Sequence, residues 1–411
     1  MNRWTNRKEN FDSQKLQFLE GDDRVREVFV VAAGMTVFGK HQQRGIRELG
    51  EEAVWKALLD AGIKPNQIEA AYCGYVLGSL CGQESVPGQL CLRQLGISRI
   101  PIVRMENACS SGSFAFKEAY ISIASGLYDV VLAMGVEKLC GFDTAYTLNA
   151  MAGNSDYELE GELGLTFPGV FAMIANQHMH KYGTTLEQMA SVSVKNNLHG
   201  SYNPLSQFGK ILSTEEVLNS KMIADPITLL QCCPLSDGAA AVVLMSKEKA
   251  KSYTPEPIRV AATCQSSGTY AHDLDITRFE PTMISSKKAY DDAGLGPEEI
   301  DIAEVHDCFS IAEIMHYEDL GFCAKGDGGT FIESGAPYYS GTKPFNTSGG
   351  LLTKGHPIGA TGIAQVVELI TQLRNKAGSR QVKGAKTGLA HCLGGFMHGD
   401  VCSASVTILT K

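Results

Sequence analysis

The sequence contains no Cys-x-x-Cys pair, although it has twelve cysteines, at 73, 81, 91, 109, 140, 232, 233, 264, 308, 323, 392 and 402. In a chain of 411 residues that spacing excludes both a disulfide framework and the paired-thiol zinc sites, and reads as reduced thiols, most of them in apolar runs. His178 and His180 in "HMH" would leave a helix on different sides, so no metal site is expected. A GxGxxG fingerprint and a P-loop are also missing, so no nucleotide cofactor is consumed. Basic residues are in deficit, 36 Lys and Arg against 45 Asp and Glu for a formal charge of −9. That balance argues against a nucleic-acid surface, while leaving room for a local basic patch toward an anionic cofactor. The first 25 residues are charged and polar and lack the apolar core of a signal peptide. "VFVVAAGMTVF", Val28 to Phe38, is far too short to span a bilayer and reads as a buried strand. The final "ILTK" is not a peroxisomal address. A cytoplasmic protein with no membrane contact is the expectation.

What is present is a repeat. With an offset of 232, Lys56, Ala57, Asp60, Ala61, Gly62, Pro65, Ile68 and Ala71 fall on Lys288, Ala289, Asp292, Ala293, Gly294, Pro297, Ile300 and Ala303. Each copy reads as a helix stopped at Gly62 or Gly294, a proline-initiated turn, then a strand. Strand and helix alternate beyond it: "RIPIVRME" leads to Cys109 and a small-residue helix, and "GGLLTKGHPIGATGIAQVVEL" leads to a helix beginning near His356. "DVVLAMGVE" then corresponds to "KTGLAHCLGG". The fold class is therefore α/β, two duplicated halves, each a sheet covered by helices with much parallel pairing. Residues 26–138 form the first half, completed by about 222–255, and 256–411 form the second. The segment 139–221 breaks the pattern and reads as an inserted loop domain, a lid or cofactor platform.

Four stretches carry chemistry. In "NACSSG", Cys109 stands between a strand and a helix start, where backbone amides and the macrodipole favour a thiolate and draw its pKa below the free value of ~8.5. "GHPIGATG" puts His356 at the equivalent place in the second half, so a pseudo-twofold arrangement would bring an imidazole to the thiol, the general form of an activated nucleophile. In "HCLGG", Cys392 is a second thiol able to move a proton at carbon. "EVHDCFS" ends the repeated strand on His306 and Asp307, where ligands bind in open α/β sheets, while Cys308 reads as packing.

Together these stretches resemble the thiolase family along essentially the whole chain. The "HDCF" of His306 to Phe309 stands where most thiolases carry Asn-Glu-Ala-Phe, and is similar to the sterol-carrier-protein-2 type thiolases and related bacterial and archaeal enzymes. The resemblance implies two βαβαβαββ halves in a five-layered αβαβα arrangement. It implies thiolytic cleavage of a 3-oxoacyl-CoA, or the reverse Claisen condensation, through an acyl-Cys109 intermediate. His356 would assist ionisation and Cys392 would deliver the proton, with His306 holding a water near the enolate oxygen. The amides of Cys109 and Gly394 would meet the acyl oxyanion. Coenzyme A would be a cosubstrate near Ser236, Gly355 and Phe309, and no cofactor would be bound permanently. A homodimer or tetramer follows, and in part of the HDCF group a small zinc-ribbon/OB-fold subunit. The substrate, branched or aryl (benzoylsuccinyl-CoA is an example), is left open. Two other readings also stand at this point: a condensing enzyme on the same fold, which would have no second catalytic cysteine, and a non-catalytic acyl-CoA-binding scaffold.

Overall fold

The computed structural model describes residues 25–253, 256–270 and 274–411; the polar stretch read above at the N-terminus lies almost wholly outside them. Eleven strands are found among the described residues: β1 (Val28–Met35), β2 (Ala70–Gly74), β3 (Ile102–Met105), β4 (Val130–Glu137), β5 (Met222–Ala224), β6 (Ile227–Thr228), β7 (Gly238–Ser246), β8 (Ile258–Ser267), β9 (Ile302–Glu304), β10 (Thr387–Met397) and β11 (Asp400–Thr410). Nine of them form one sheet in the order β3-β2-β4-β7-β1-β8-β11-β10-β9. Among the described residues its two wings are joined at Phe29↔Arg259 and Val30↔Ile258.

The wings mirror each other. From the junction outward, β1-β7-β4-β2-β3 matches β8-β11-β10-β9, and Phe345, bridged in parallel to Ala303, takes the place of β3. The repeated segment is the same in both: the helices Ile46–Asp60 and Glu280–Ala293 each run into a glycine in the left-handed region, Gly62 (φ 65°) or Gly294 (φ 68°), and then a short 3₁₀ turn from Pro65 or Pro297. Pairing is mixed, however. The pairs β2–β3, β2–β4 and β9–β10 are parallel, while β1–β7, β4–β7, β8–β11 and β10–β11 are antiparallel. The reason is local: β11 follows β10 through a tight turn containing His398 and Gly399, both at positive φ, and β7 returns beside β4 after the insertion.

Hydrophobicity sorts the layers. Phe116 and Ile123 of the Ser111–Ala124 helix pack with Ile363, Val367 and Ile370 of the Thr361–Leu373 helix between the two wings. Leu49, Val54 and Leu58 cover the outer face of the first wing. Ala289 and several inserted residues, among them Phe171, Ile174 and Val192, cover that of the second. Helix, sheet, helix pair, sheet, helix is the expected five-layered arrangement.

The inserted segment is helical. Thr166 caps Phe167–Tyr182 by accepting from the Gly169 N–H, and Thr185 with Gln188 forms a capping box for Leu186–Ser201. The β5–β6 hairpin continues this unit rather than the first wing. Asp237, fully buried at the mouth of β7, pins the start of the insertion by accepting from the Leu139 and Cys140 N–H groups (2.8 and 2.7 Å) and from Lys138 Nζ (2.7 Å). Among the described residues no helix is long and apolar enough to cross a membrane.

Candidate active site

The chain leaves β3 through a tight turn before the Ser111–Ala124 helix. Ala108 adopts φ 48°, a left-handed conformation costing a non-glycine residue on the order of 1 kcal/mol. The turn is over-determined by short bonds: the Ser110 N–H and hydroxyl donate to Asn107 O (3.2 and 2.8 Å), and Ser111 Oγ accepts from the Asn107 N–H (2.7 Å) while donating to Ala108 O (2.6 Å). Cys109 lies just before the N-cap residue Ser110, at the crown of this turn.

His356 arrives from the other wing, but not at a helix start: Pro357 to Ala360 form a turn and the helix begins at Thr361. Its backbone N–H donates to Ser236 Oγ (3.0 Å), and its Nδ1 lies 2.7 Å from Thr361 Oγ1. The Thr361 hydroxyl hydrogen is directed to Pro357 O (3.1 Å), so the hydroxyl oxygen accepts from Nδ1–H. Nε2 is then the unprotonated nitrogen, and it is buried with no protein partner. This fixes the tautomer that can act as a base.

The Cys109 sulfur and one ring nitrogen each of His306 and His356 lie within 4.8 Å of one another, and the two imidazoles meet edge to face at 5.0 Å. Cys392 Sγ is 3.3 Å from His306 Nδ1 and donates to Cys109 O at 3.2 Å. The four side chains expected to act together do converge. A trio of one thiol and two imidazoles could also bind a soft metal ion, which would occupy the sulfur needed for attack.

Electrostatically the site departs from the expected lowered thiol pKa. Burial pushes Cys109 up to about 12, opposed by the backbone N–H of Gly395 and, more weakly, by its own N–H, with Glu137 adding to the rise. Burial also raises Cys392 well above the usual thiol range, with Cys109 contributing. Burial lowers His356 to about 3 and His306 far below its ordinary value, the latter helped by His356, His316 and His391. The resting site at neutral pH is two thiols and two neutral imidazoles, not a thiolate facing a cation. A helix start favours an anion, but desolvation of the sulfur outweighs two amides.

Other expected positions fall as follows. Gly394 pairs with Ser403 inside the β10–β11 ladder, while Gly395 (φ 66°) stands between the paired residues Gly394 and Phe396 and turns its N–H to the sulfur. Ser236 is fully buried, tied to His356 N and Gln207, and Gly355 (φ 110°) backs onto it so closely that a Cβ would lie 2.5 Å from Ser236 Oγ. Both support His356 from behind rather than lining the chamber. Phe309 does line it, stacked on Phe171 at 4.6 Å. Asp307 holds the approach to the histidine loop by accepting from Leu351 N (2.6 Å), Leu352 N (3.2 Å) and Asn196 Nδ2 (2.7 Å). His178 is buried against Thr184 and Glu318 while His180 is exposed.

Two further residues shape the site. Thr361 sits in "GHPIGATG", five positions after the histidine. Glu137, fully buried, accepts from Val76 N (3.2 Å), Leu77 N (3.2 Å) and Gly359 N (3.1 Å) and so ties the first wing to the histidine loop. Its signal was available: a carboxylate closing the otherwise apolar strand "VVLAMGVE".

A thiol beside two imidazoles and a second thiol, in a chamber of about 170 Å³ assembled from both halves of a duplicated fold, is equipped for covalent acyl transfer. The family description "Thiolase, N-terminal domain" matches residues 28–248 and "Thiolase C-terminal domain-like" matches 262–411. The chain belongs to the thiolase family and is an acyltransferase of that type. An acetyl-CoA acetyltransferase of Methanothermobacter thermautotrophicus is 44% identical over 90% of this chain and 97% of its own. Sterol carrier protein 2 of Bos taurus is 41% identical over 89% of this chain and 70% of its own. The benzoylsuccinyl-CoA thiolase subunit BbsB of Thauera aromatica is 36% identical over 90% and 95%. Among solved structures, Ltp2-ChsH2(DUF35) aldolase superposes with TM-score 0.81 at 26% identity, covering 93% of this chain and 97% of that one. Human mitochondrial 3-ketoacyl-CoA thiolase gives 0.71 at 20% over 94% and 99%, a likeness of fold.

Proposed function

We propose that the protein cleaves a 3-oxoacyl-CoA with CoA, or runs the reverse condensation, with Cys109 as acyl acceptor, His356 as its base and Cys392 with His306 as the proton carrier at carbon. The observation that carries this reading is the unprotonated, unpartnered Nε2 of His356 beside the Cys109 thiol, with a second thiol behind it. His356 takes the Cys109 proton as the sulfur attacks the C3 carbonyl. The C2–C3 bond breaks, its electron pair goes to C2 as the enolate of the departing acyl-CoA, and the Cys392 S–H protonates that carbon. The Cys392 thiolate then takes the proton of incoming CoA, whose sulfur displaces the acyl group from Cys109. The Cys109 sulfur recovers its proton from His356. The amides of Cys109 and Gly395 are the donors for the acyl oxyanion, each worth ~10²–10³ in rate.

CoA suits a cavity of about 730 Å³ that shares Cys232, Cys233, Pro234 and Leu235 with the chamber and carries Lys40 and Lys210 for phosphate. Residues 139–221, continued by the β5–β6 hairpin, would supply its lid, between a first half at 26–138 that resumes with β7 and a second at 256–411. A homodimer pairs through the uncovered edge of β3; a small zinc-ribbon/OB-fold subunit has its support in the DUF35 component of Ltp2-ChsH2(DUF35) aldolase. The proposed setting is cytoplasmic β-oxidation-type chemistry. The test is mass analysis after incubation with acetoacetyl-CoA. An acetyl adduct on Cys109 is expected, and Cys392→Ser should still form it while losing ~10²–10⁴ of CoA-dependent turnover. Full turnover in Cys392→Ser would move the protein to the condensing enzymes, and CoA-ester binding with no adduct to the scaffolds.

A further inference from the structure

The chamber holding the Cys109 sulfur is walled mainly by apolar side chains, and Leu148, Met151, Phe167, Pro168 and Phe396 also bound a second cavity of about 320 Å³. Among the described residues that line either cavity there is no lysine or arginine. The imidazoles in the chamber, His306 and His356, are neutral; Asn154 also lines the chamber, and Asn149, Ser155 and Thr166 line the second cavity. The cationic residues, Lys40 and Lys210, lie in the CoA cavity on the other side of Cys232 and Cys233. A carboxylate carried into the chamber would therefore lose its water without gaining a charged partner, which is strongly unfavourable. An aromatic or branched acyl group meets Phe167, Phe309 and Phe396 instead and gains from the burial.

Building on the thiolase reading, we infer that the substrate is a 3-oxoacyl-CoA with an uncharged, bulky apolar acyl part, and that esters bearing a second carboxylate near the reacting carbons are rejected. The preference differs from what the name of the benzoylsuccinyl-CoA relative would lead one to expect, since that substrate carries such a carboxylate. The partition also gives the specificity a handle: Leu148, near the rim of the chamber and 46% exposed, can accept a longer polar side chain without disturbing the core.

The test is CoA-dependent cleavage of four probes: acetoacetyl-CoA, benzoylacetyl-CoA, benzoylsuccinyl-CoA and the analogue of the last with a carboxamide for the carboxylate. Expected is cleavage of acetoacetyl-CoA, benzoylacetyl-CoA and the carboxamide, with kcat/KM for benzoylsuccinyl-CoA at least tenfold below that of its carboxamide. Leu148→Arg should narrow that ratio by supplying a cation. Equal cleavage of benzoylsuccinyl-CoA and its carboxamide overturns the inference, as does rejection of the carboxamide, which would make bulk rather than charge decisive. Cleavage of acetoacetyl-CoA alone also overturns it while leaving the thiolase reading intact. Cleavage of no probe sinks both.

Discussion

At the scale of single residues, burial raises the Cys109 thiol rather than lowering it, so in the proposed mechanism Cys109 would depend on a neighbouring base and not on a lowered pKa. Its local sequence pointed the other way, because a turn before a helix supplies amides, and amide dipoles are visible in "NACSSG" while the burial that outweighs them depends on the cluster of Leu77, Leu80, Leu139 and Ile358 arriving from elsewhere in the chain. The consequence is measurable. With the folded thiol at about 12, alkylation of Cys109 by iodoacetamide, followed by peptide mass analysis, should rise continuously with pH through 9 without a plateau. A plateau set by a pKa near 6 to 7 would mean that a thiolate–imidazolium pair exists at rest. With His356 at about 3, no break from its titration is expected between pH 5 and 8, since it is already neutral throughout that range.

At the scale of elements, β4 and the loop after His356 touch backbone to backbone. A Cβ at Gly135 would stand 2.1 Å from Gly359 O, so β4 and the histidine loop meet only because that position is glycine. Glu137, two residues on, bonds the Gly359 N–H directly. Burial raises its carboxyl from 4.5 to about 7, so the folded protein holds this proton more tightly than the unfolded chain does. Its stabilising contribution is full below about pH 4.5 and is lost as pH rises through 7, on the order of 3 kcal/mol by linkage. Thermal denaturation of wild type and Glu137→Gln should show the melting-temperature gap between them shrinking from pH 5 to pH 8. A gap that widens would contradict the burial argument. Much at this scale was legible in the chain. The offset of 232 brought out the repeated helix, turn and strand, and the spacing of the cysteine and histidine motifs brought out their meeting. Antiparallel pairing was not legible, because it follows from where the insertion returns β7 and from the turn after β10. The distance from His356 to its helix was hidden by Pro357, which can open a helix as readily as a turn.

At the scale of the molecule, duplication is the reason the four side chains meet: Cys109 comes from the first wing, and His306, His356 and Cys392 come from the second. The same mirror order leaves the wings unequal at their outer edges. In the second wing the place beside β9 is filled by Phe345, fully buried. In the first it is filled by β3, whose outer side has no strand beside it among the described residues and whose Val103 is 42% exposed. An uncovered edge strand invites pairing with a second copy, and Arg104 stiffens this one by donating to Tyr75 O (3.3 Å), Val76 O (3.1 Å) and Glu84 O. Because β3 runs straight into the Cys109 turn, a dimer formed there would steady the nucleophile. Val103→Lys places a charge on that edge without touching the chamber. Light scattering coupled to gel filtration should show wild type at twice the mass of one chain and the variant shifted toward a single chain, with turnover falling alongside. Wild type running as a single chain, or a variant that stays dimeric at micromolar concentration, would place the partner surface elsewhere on the molecule.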